Sequence, residues 1–179
     1  MIRNYKFNNR IYLIGYMGCG KTTVGRRLAE KLDFQFVDVD LFIENRQRKT
    51  VSEIFAEKGE ETFRMLEHKT LEELSLFENV VISTGGGAPC FHNNMELMNK
   101  SGLTVYLKVT PKELINRLKN GQNKRPLLKG KTTDEMLSFV TENVNKRSFY
   151  YTQAALVFDA EINDINYIVN NLILHLTTK

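Results

Sequence analysis

Ile11-Tyr12-Leu13-Ile14-Gly15-Tyr16-Met17-Gly18-Cys19-Gly20-Lys21-Thr22 is the stretch on which the fold turns. Its last eight residues fit G-x-x-x-x-G-K-[ST], the loop that wraps nucleotide phosphates. Glycines let backbone N–H groups turn inward, and Lys21 is a compact cation able to reach the outer phosphates. Thr22 can offer its hydroxyl to Mg²⁺ while opening a helix whose positive end faces the nucleotide. The flanks agree. Ile11–Ile14 is an apolar run that reads as a buried strand, and Val24, Leu28 and Leu32 recur every four residues, as on a helix face. Strand, glycine loop, helix is the setting this motif requires.

The alternation continues outward. Phe34–Val37 reads as a second strand, Val80–Ser83 as a third, Leu103–Leu107 as a fourth and Ala155–Phe158 as a fifth. Between them lie helical patterns. Thr50 with Glu53, and Thr132 with Glu135, have the spacing of capping boxes. Gly59 reads as a helix end. Thr110-Pro111 with Glu113 reads as a cap, a first-turn proline and a carboxylate reaching back. Residues 120–132 are polar and rich in Gly and Lys, and read as a mobile loop. The last helix carries Ile165, Ile168, Val169, Leu172, Ile173 and Leu176 at helical spacing. Strands alternating with helices imply an α/β fold with a parallel sheet covered on both faces. Ligands then bind beyond the carboxyl ends of the strands.

Bulk properties bound the rest. The 179 residues suit one domain, 42% hydrophobic and 26% charged. A net charge of +4, without a basic block or a basic–aromatic stripe, suits anionic small substrates and argues against nucleic acid. No apolar run is long enough to span a bilayer, and the first residues lack the apolar core of a signal peptide. Cys19 and Cys90 form neither a disulfide framework nor a C-x-x-C pair, so a reducing cytoplasm is the simplest setting. His68, His92 and His175 lack metal-ligand spacing.

Several residues can carry chemistry. Asp38 and Asp40 stand two apart at a strand end and can point the same way, one for Mg²⁺ and one for the attacking hydroxyl. Asp40 could instead be a helix N-cap before Leu41-Phe42-Ile43. Gly85-Gly86-Gly87 after the third strand would let backbone approach a ligand closely, or would be a flexible connection. Arg147 interrupts the stripe Leu137, Val140, Val144, Tyr151, where a cation needs a partner. An anionic substrate and a snorkelling helix-end position account for it equally well. Arg64, close to Glu60, Glu61 and Glu67, reads first as an ion pair on a solvated face. Arg125 is either a solvated loop cation or part of a lid that closes over the transferring phosphoryl group.

Taken in order, the phosphate loop, Asp38-Val39-Asp40, Phe63-Arg64-Met65-Leu66-Glu67, Thr84-Gly85-Gly86-Gly87, Arg125-Pro126-Leu127-Leu128 and Arg147 resemble the shikimate kinase family over nearly the whole chain. That resemblance implies the P-loop NTPase fold of small nucleoside-monophosphate kinases, with five parallel strands in the order 2-3-1-4-5 and a lid at about 120–132. It implies a monomer that phosphorylates the 3-hydroxyl of shikimate with ATP and Mg²⁺, within aromatic amino-acid biosynthesis. Gly18, Cys19, Gly20, Lys21, Thr22 and Thr23 would hold ATP, with Arg117 against adenine. Lys21 and Arg125 would stabilise phosphoryl charge, and Thr22 and Asp38 would manage Mg²⁺, the latter directly or through water. Asp40 would bind the shikimate hydroxyls and act in catalysis. Arg64 and Arg147 would hold the carboxylate, with the Gly85, Gly86 and Gly87 backbone lining the site. Tyr16, Cys19 and the Thr22-Thr23 pair depart from common family choices without removing a functional group. A gluconate- or nucleotide-type kinase and a non-catalytic ATP-binding regulatory module are the competing readings. The arginine pair suits a carboxylated substrate, with a substrate panel to settle the first, and the substrate-side set Asp40, Arg64 and Arg147 speaks against the second.

Overall fold

The computed structural model describes residues 9–119, 130–162 and 164–177. Their order is β1 (Arg10–Ile14), α1 (Lys21–Leu32), β2 (Gln35–Asp38), α2 (Val39–Gln47), α3 (Val51–Leu74), β3 (Val80–Ser83), a 3₁₀ turn (Ala88–Cys90), α4 (Asn94–Ser101), β4 (Leu103–Lys108), α5 (Pro111–Lys119), α6 (Thr133–Tyr151), β5 (Leu156–Asp159) and α7 (Ile165–Thr177). The expected lid falls largely on residues 120–129, and these, Arg125 among them, lie outside the described residues.

The five strands form one parallel sheet in the order β2-β3-β1-β4-β5. At its centre Tyr12 sits opposite Ile82 on one side and Thr104 on the other. Every residue of β1 and β3 is buried, as strands covered on both faces must be. Helix α1 packs on β3, β2 and α7, while α4 lies on β4 and α3. The connection after β1 runs past β3 to β2, and the one after β3 runs past β1 to β4. Two neighbouring strands thus release their chains in opposite directions, which opens a crevice between the loops that follow them.

Local signals account for most element ends. Thr50–Glu53 and Thr132–Glu135 both form reciprocal capping boxes. Gly59 breaks α3 with φ 78 and ψ 170, so the chain bends there and continues to Leu74. Other expectations need correction. Glu113 does not reach back over α5. Glu161, from the segment after β5, accepts from the Thr110 amide at 2.8 Å and from its hydroxyl at 2.6 Å, while Glu113 pairs with Arg117. On α6, Met136 takes the buried place and Leu137 is exposed. Residues 88–101, for which the sequence pattern suggests no element, form the 3₁₀ turn and α4. No helix among the described residues is long and apolar enough to cross a membrane.

Candidate active site

The loops after β1, β2 and β3 meet on one rim. Gly20 caps α1 at φ +99, a conformation that side chains with a Cβ rarely adopt. No side chain caps this helix, so its first amides are left for a ligand, and anions favour that end. Lys21 folds back over the loop, its Nζ donating to Gly15 O at 2.7 Å and Tyr16 O at 3.2 Å. Cys19 is buried beneath it, serving as a small side chain inside the turn.

Thr22 Oγ1 donates to Asp38 Oδ2 at 2.9 Å. Asp38, not Asp40, is the N-cap of α2, its Oδ1 accepting from the Leu41 amide at 3.4 Å. The two acids therefore do not share a strand end. Asp38 keeps extended backbone, the helix begins at Val39, and Asp40 projects from its first turn. They still converge. A cleft of about 480 Å³ is bordered by Lys21, Thr22, Asp38, Asp40, Thr84 and Gly86. A second hollow of about 420 Å³ lies across the phosphate loop, against Gly18, Cys19, Gly20, Thr23 and Arg117. Arg117 and Thr23 border both. The Arg117 guanidinium is fixed by Glu113 at 2.8 Å and by the carbonyls of Ala160 and Glu161, each at 2.9 Å.

The triple glycine brings the distant parts together. A Cβ on Gly85 would collide with Glu67 Oε1 and stand 3.0 Å from Asp40 Oδ1. One on Gly86 would stand 3.5 Å from Arg147 Nη1, and one on Gly87 would strike the Arg64 guanidinium at 2.7 Å. Three consecutive residues thus face an acid pair, one arginine and then the other. These contacts are possible because glycine has no side chain in the way.

Arg64 makes the ion pairs expected of it. It pairs with Glu60 at 2.9 Å and Glu67 at 2.5 Å, yet its face is not solvated: the side chain is only 11% exposed. Phe91 covers it, the guanidinium carbon lying 4.5 Å from the ring centre. Arg147 is half-buried over the Tyr16 ring at 5.3 Å. No carboxylate pairs with it among the described residues.

Glu67 stands out in the sequence only as part of a motif. Phe63, Thr70, Leu71 and Leu74 on α3 are buried, and Glu67 is buried with them. A carboxylate within that buried stripe was the available signal. Its Oε2 holds Arg64, while Oε1 has no hydrogen-bond partner among the described residues. Burial pushes the Glu67 carboxyl up to about 7; Arg64 opposes this and Asp40 adds to it. Asp40 is likewise raised to about 6, first by burial and then by Asp38, against the pull of Lys21. A carboxylate so tuned stays ionised at neutral pH and can still accept a proton. Cys90 is half-buried, and His68 bonds Asn94 at 2.7 Å. Among the described residues no cluster of three or more His, Cys, Asp or Glu could hold a metal ion.

The family model for shikimate kinase matches residues 17–177. The chain belongs to the shikimate kinase family. Its activity is the phosphorylation of shikimate by ATP. It is 54% identical to the shikimate kinase of Parabacteroides distasonis over 152 residues, 85% of this chain and 88% of that one. The crystal structure of shikimate kinase from Bacteroides thetaiotaomicron superposes with a TM-score of 0.89 at 50% identity, covering 93% of this chain and 98% of the other. That of Acinetobacter baumannii shikimate kinase in complex with shikimate gives 0.83 at 33% identity, with 95% of each covered. A deoxyadenosine kinase from M. mycoides, 21% identical with a TM-score of 0.59, shares the fold.

Proposed function

We propose that the chain carries out this transfer as one domain and as a monomer, with its groups divided by the two hollows. The observation that carries the reading is the triple glycine, whose members face Asp40 and Glu67, then Arg147, then Arg64. ATP lies along the phosphate loop, with adenine in the second hollow against the face of Arg117. The uncapped amides of α1, from Lys21 through Thr23, receive the phosphates. On binding, Lys21 exchanges the carbonyls of Gly15 and Tyr16 for phosphate oxygens, so the loop holds it close to its working position beforehand.

Mg²⁺ fits beside Thr22 and Asp38. The pair offers a hydroxyl and a carboxylate within 2.9 Å of each other, hard oxygen donors on an exposed rim where the ion keeps most of its water. Held by Thr22 and Asp38, it would supply positive charge against the negative charge that develops in transfer.

On the acceptor side, Asp40 receives the hydroxyls and takes or orients the proton of the attacking one. Arg64 and Arg147 hold the carboxylate through charge-assisted contacts, with the glycine backbone beneath. Glu67 keeps Arg64 from swinging out to Glu60 alone. Positioning and charge stabilisation supply most of the rate. The reaction product would serve aromatic amino-acid biosynthesis. A coupled ADP-release assay tests the reading directly: shikimate should support turnover, while quinate and gluconate should not. Equal turnover with gluconate would refute shikimate as the selected acceptor.

A further inference from the structure

The last residue of α6 does more than fill the core. Tyr151 is fully buried, its ring lying 5.0 Å from that of Tyr106 on β4. Phenylalanine would fill that space as well. What the hydroxyl adds is one long-range bond and a side-chain hydrogen-bonding contact with Arg147. It donates to Gly86 O at 2.6 Å, across 65 residues of chain. Tyr151 stands one helical turn after Arg147, so a single stretch of α6 both supplies the second arginine and grips the glycine loop.

Gly86 is the node of the site. A Cβ there would lie 3.5 Å from Arg147 Nη1, 3.5 Å from Gly15 O and 3.6 Å from Met17 N. It thus sits between the acid clamp and the start of the phosphate loop. The Gly86–Gly87 peptide is planar and trans, so pinning its carbonyl toward Tyr151 aims the Gly87 amide the opposite way. Neither the Gly86 nor the Gly87 amide has a protein acceptor among the described residues. Burial also holds the Tyr151 phenol well above its usual range, so it remains a donor throughout the physiological range.

Building on the function proposed above, we infer that Tyr151 is a positioning residue of the acid-binding half. Its hydroxyl sets the Gly86–Gly87 peptide at the spacing from Arg147 that a carboxylate requires. The residue touches no substrate and acts through the glycine loop and through Arg147 itself.

Tyr151→Phe removes the bond to Gly86 O together with the contact to Arg147, and keeps the ring. KM for shikimate should rise about tenfold, the worth of one hydrogen bond. KM for ATP should stay within about twofold, since the phosphate loop keeps its own contacts. A second readout isolates the carboxylate. The preference for shikimate over its uncharged methyl ester, measured by competition, should fall by the same factor as KM rises. Tyr106→Phe, which deletes the hydroxyl of the neighbouring ring, should change neither. If Tyr151→Phe does not fold, 3-fluorotyrosine at 151 keeps the packing and strengthens the donor, and KM for shikimate should fall about twofold. Equal weakening of acid and ester, an unchanged KM in the Phe variant, or no effect of the fluorine would overturn the inference. Failure of the wild-type protein to use shikimate at all would instead remove the reading on which it rests.

Discussion

Replacing Glu67 by Gln makes the buried acid of the site measurable. Glu67 lies wholly within the core, with one oxygen on Arg64 and the other, beside Asp40, unpartnered among the described residues. Its carboxyl is raised from an ordinary 4.5 to about 7, chiefly by burial. A raised acid binds its proton more tightly when folded than when unfolded. Between these two values the folded state therefore holds more protons, and stability falls as pH rises. At about 1.36 kcal/mol for each pH unit between the two values, the full loss is about 3 kcal/mol. Glutamine has nearly the same shape, still accepts from Arg64 and cannot ionise. The two proteins should be about equally stable near pH 5. By pH 8.5 the variant should lead by up to about 3 kcal/mol, roughly 6–12 °C in Tm for a chain of this size. Asp40 also titrates in this window but is present in both proteins, so the difference curve mostly cancels it. Urea unfolding at half-unit steps of pH reads the effect. If Arg64 instead kept Glu67 fully ionised, the variant would be the weaker protein at pH 8.5. A flat or inverted difference curve would refute the reasoning.

The remaining predictions concern turnover. Lys21→Met should lower kcat by about 10²–10³ while leaving the unfolding midpoint nearly unchanged, since its present bonds are to loop carbonyls at the rim of the cleft; a loss below tenfold would remove it from phosphoryl stabilisation. Arg147→Ala should raise KM for shikimate about 10–100-fold with KM for ATP little altered, the worth of a charge-assisted contact. Arg64→Ala should do the same and also lose stability, because it strands Glu67; unchanged KM in both variants would end the clamp. With Asp40 raised to about 6 by burial and Asp38, the kcat profile should fall as pH drops through that value. Asp40→Asn should be nearly inactive at every pH, and near-normal turnover would exclude Asp40 from the reaction.

How far these roles could be read in advance depended on how local they are. The phosphate loop, both capping boxes and the break at Gly59 are set by residues within one turn of each other, so their spacing was sufficient. Asp40 is placed one element later than its spacing suggests, because strand and helix both fit Asp38-Val39-Asp40 until the cap at Asp38 is seen. Arg64 looked like a surface ion pair for the same reason: a pairing at i+3 and i+4 looks the same on an exposed and on a covered face. Phe91, from the segment after the triple glycine whose pattern announces no element, covers it. Glu113 lost its expected cap to Glu161, a residue 51 positions from Thr110.

Chemistry confined to consecutive residues was thus legible from the chain: a nucleotide loop on a parallel α/β sheet, and the family to which its motifs belong. Which carboxylate is buried, which arginine lacks a carboxylate partner among the described residues and where a phenol grips a carbonyl all depend on contacts between segments far apart in sequence. Burial and desolvation belong to the packed molecule, and they raise Glu67 and leave Arg147 facing the glycines. Folding onto the crevice between β1 and β3 is what turns separate motifs into one site.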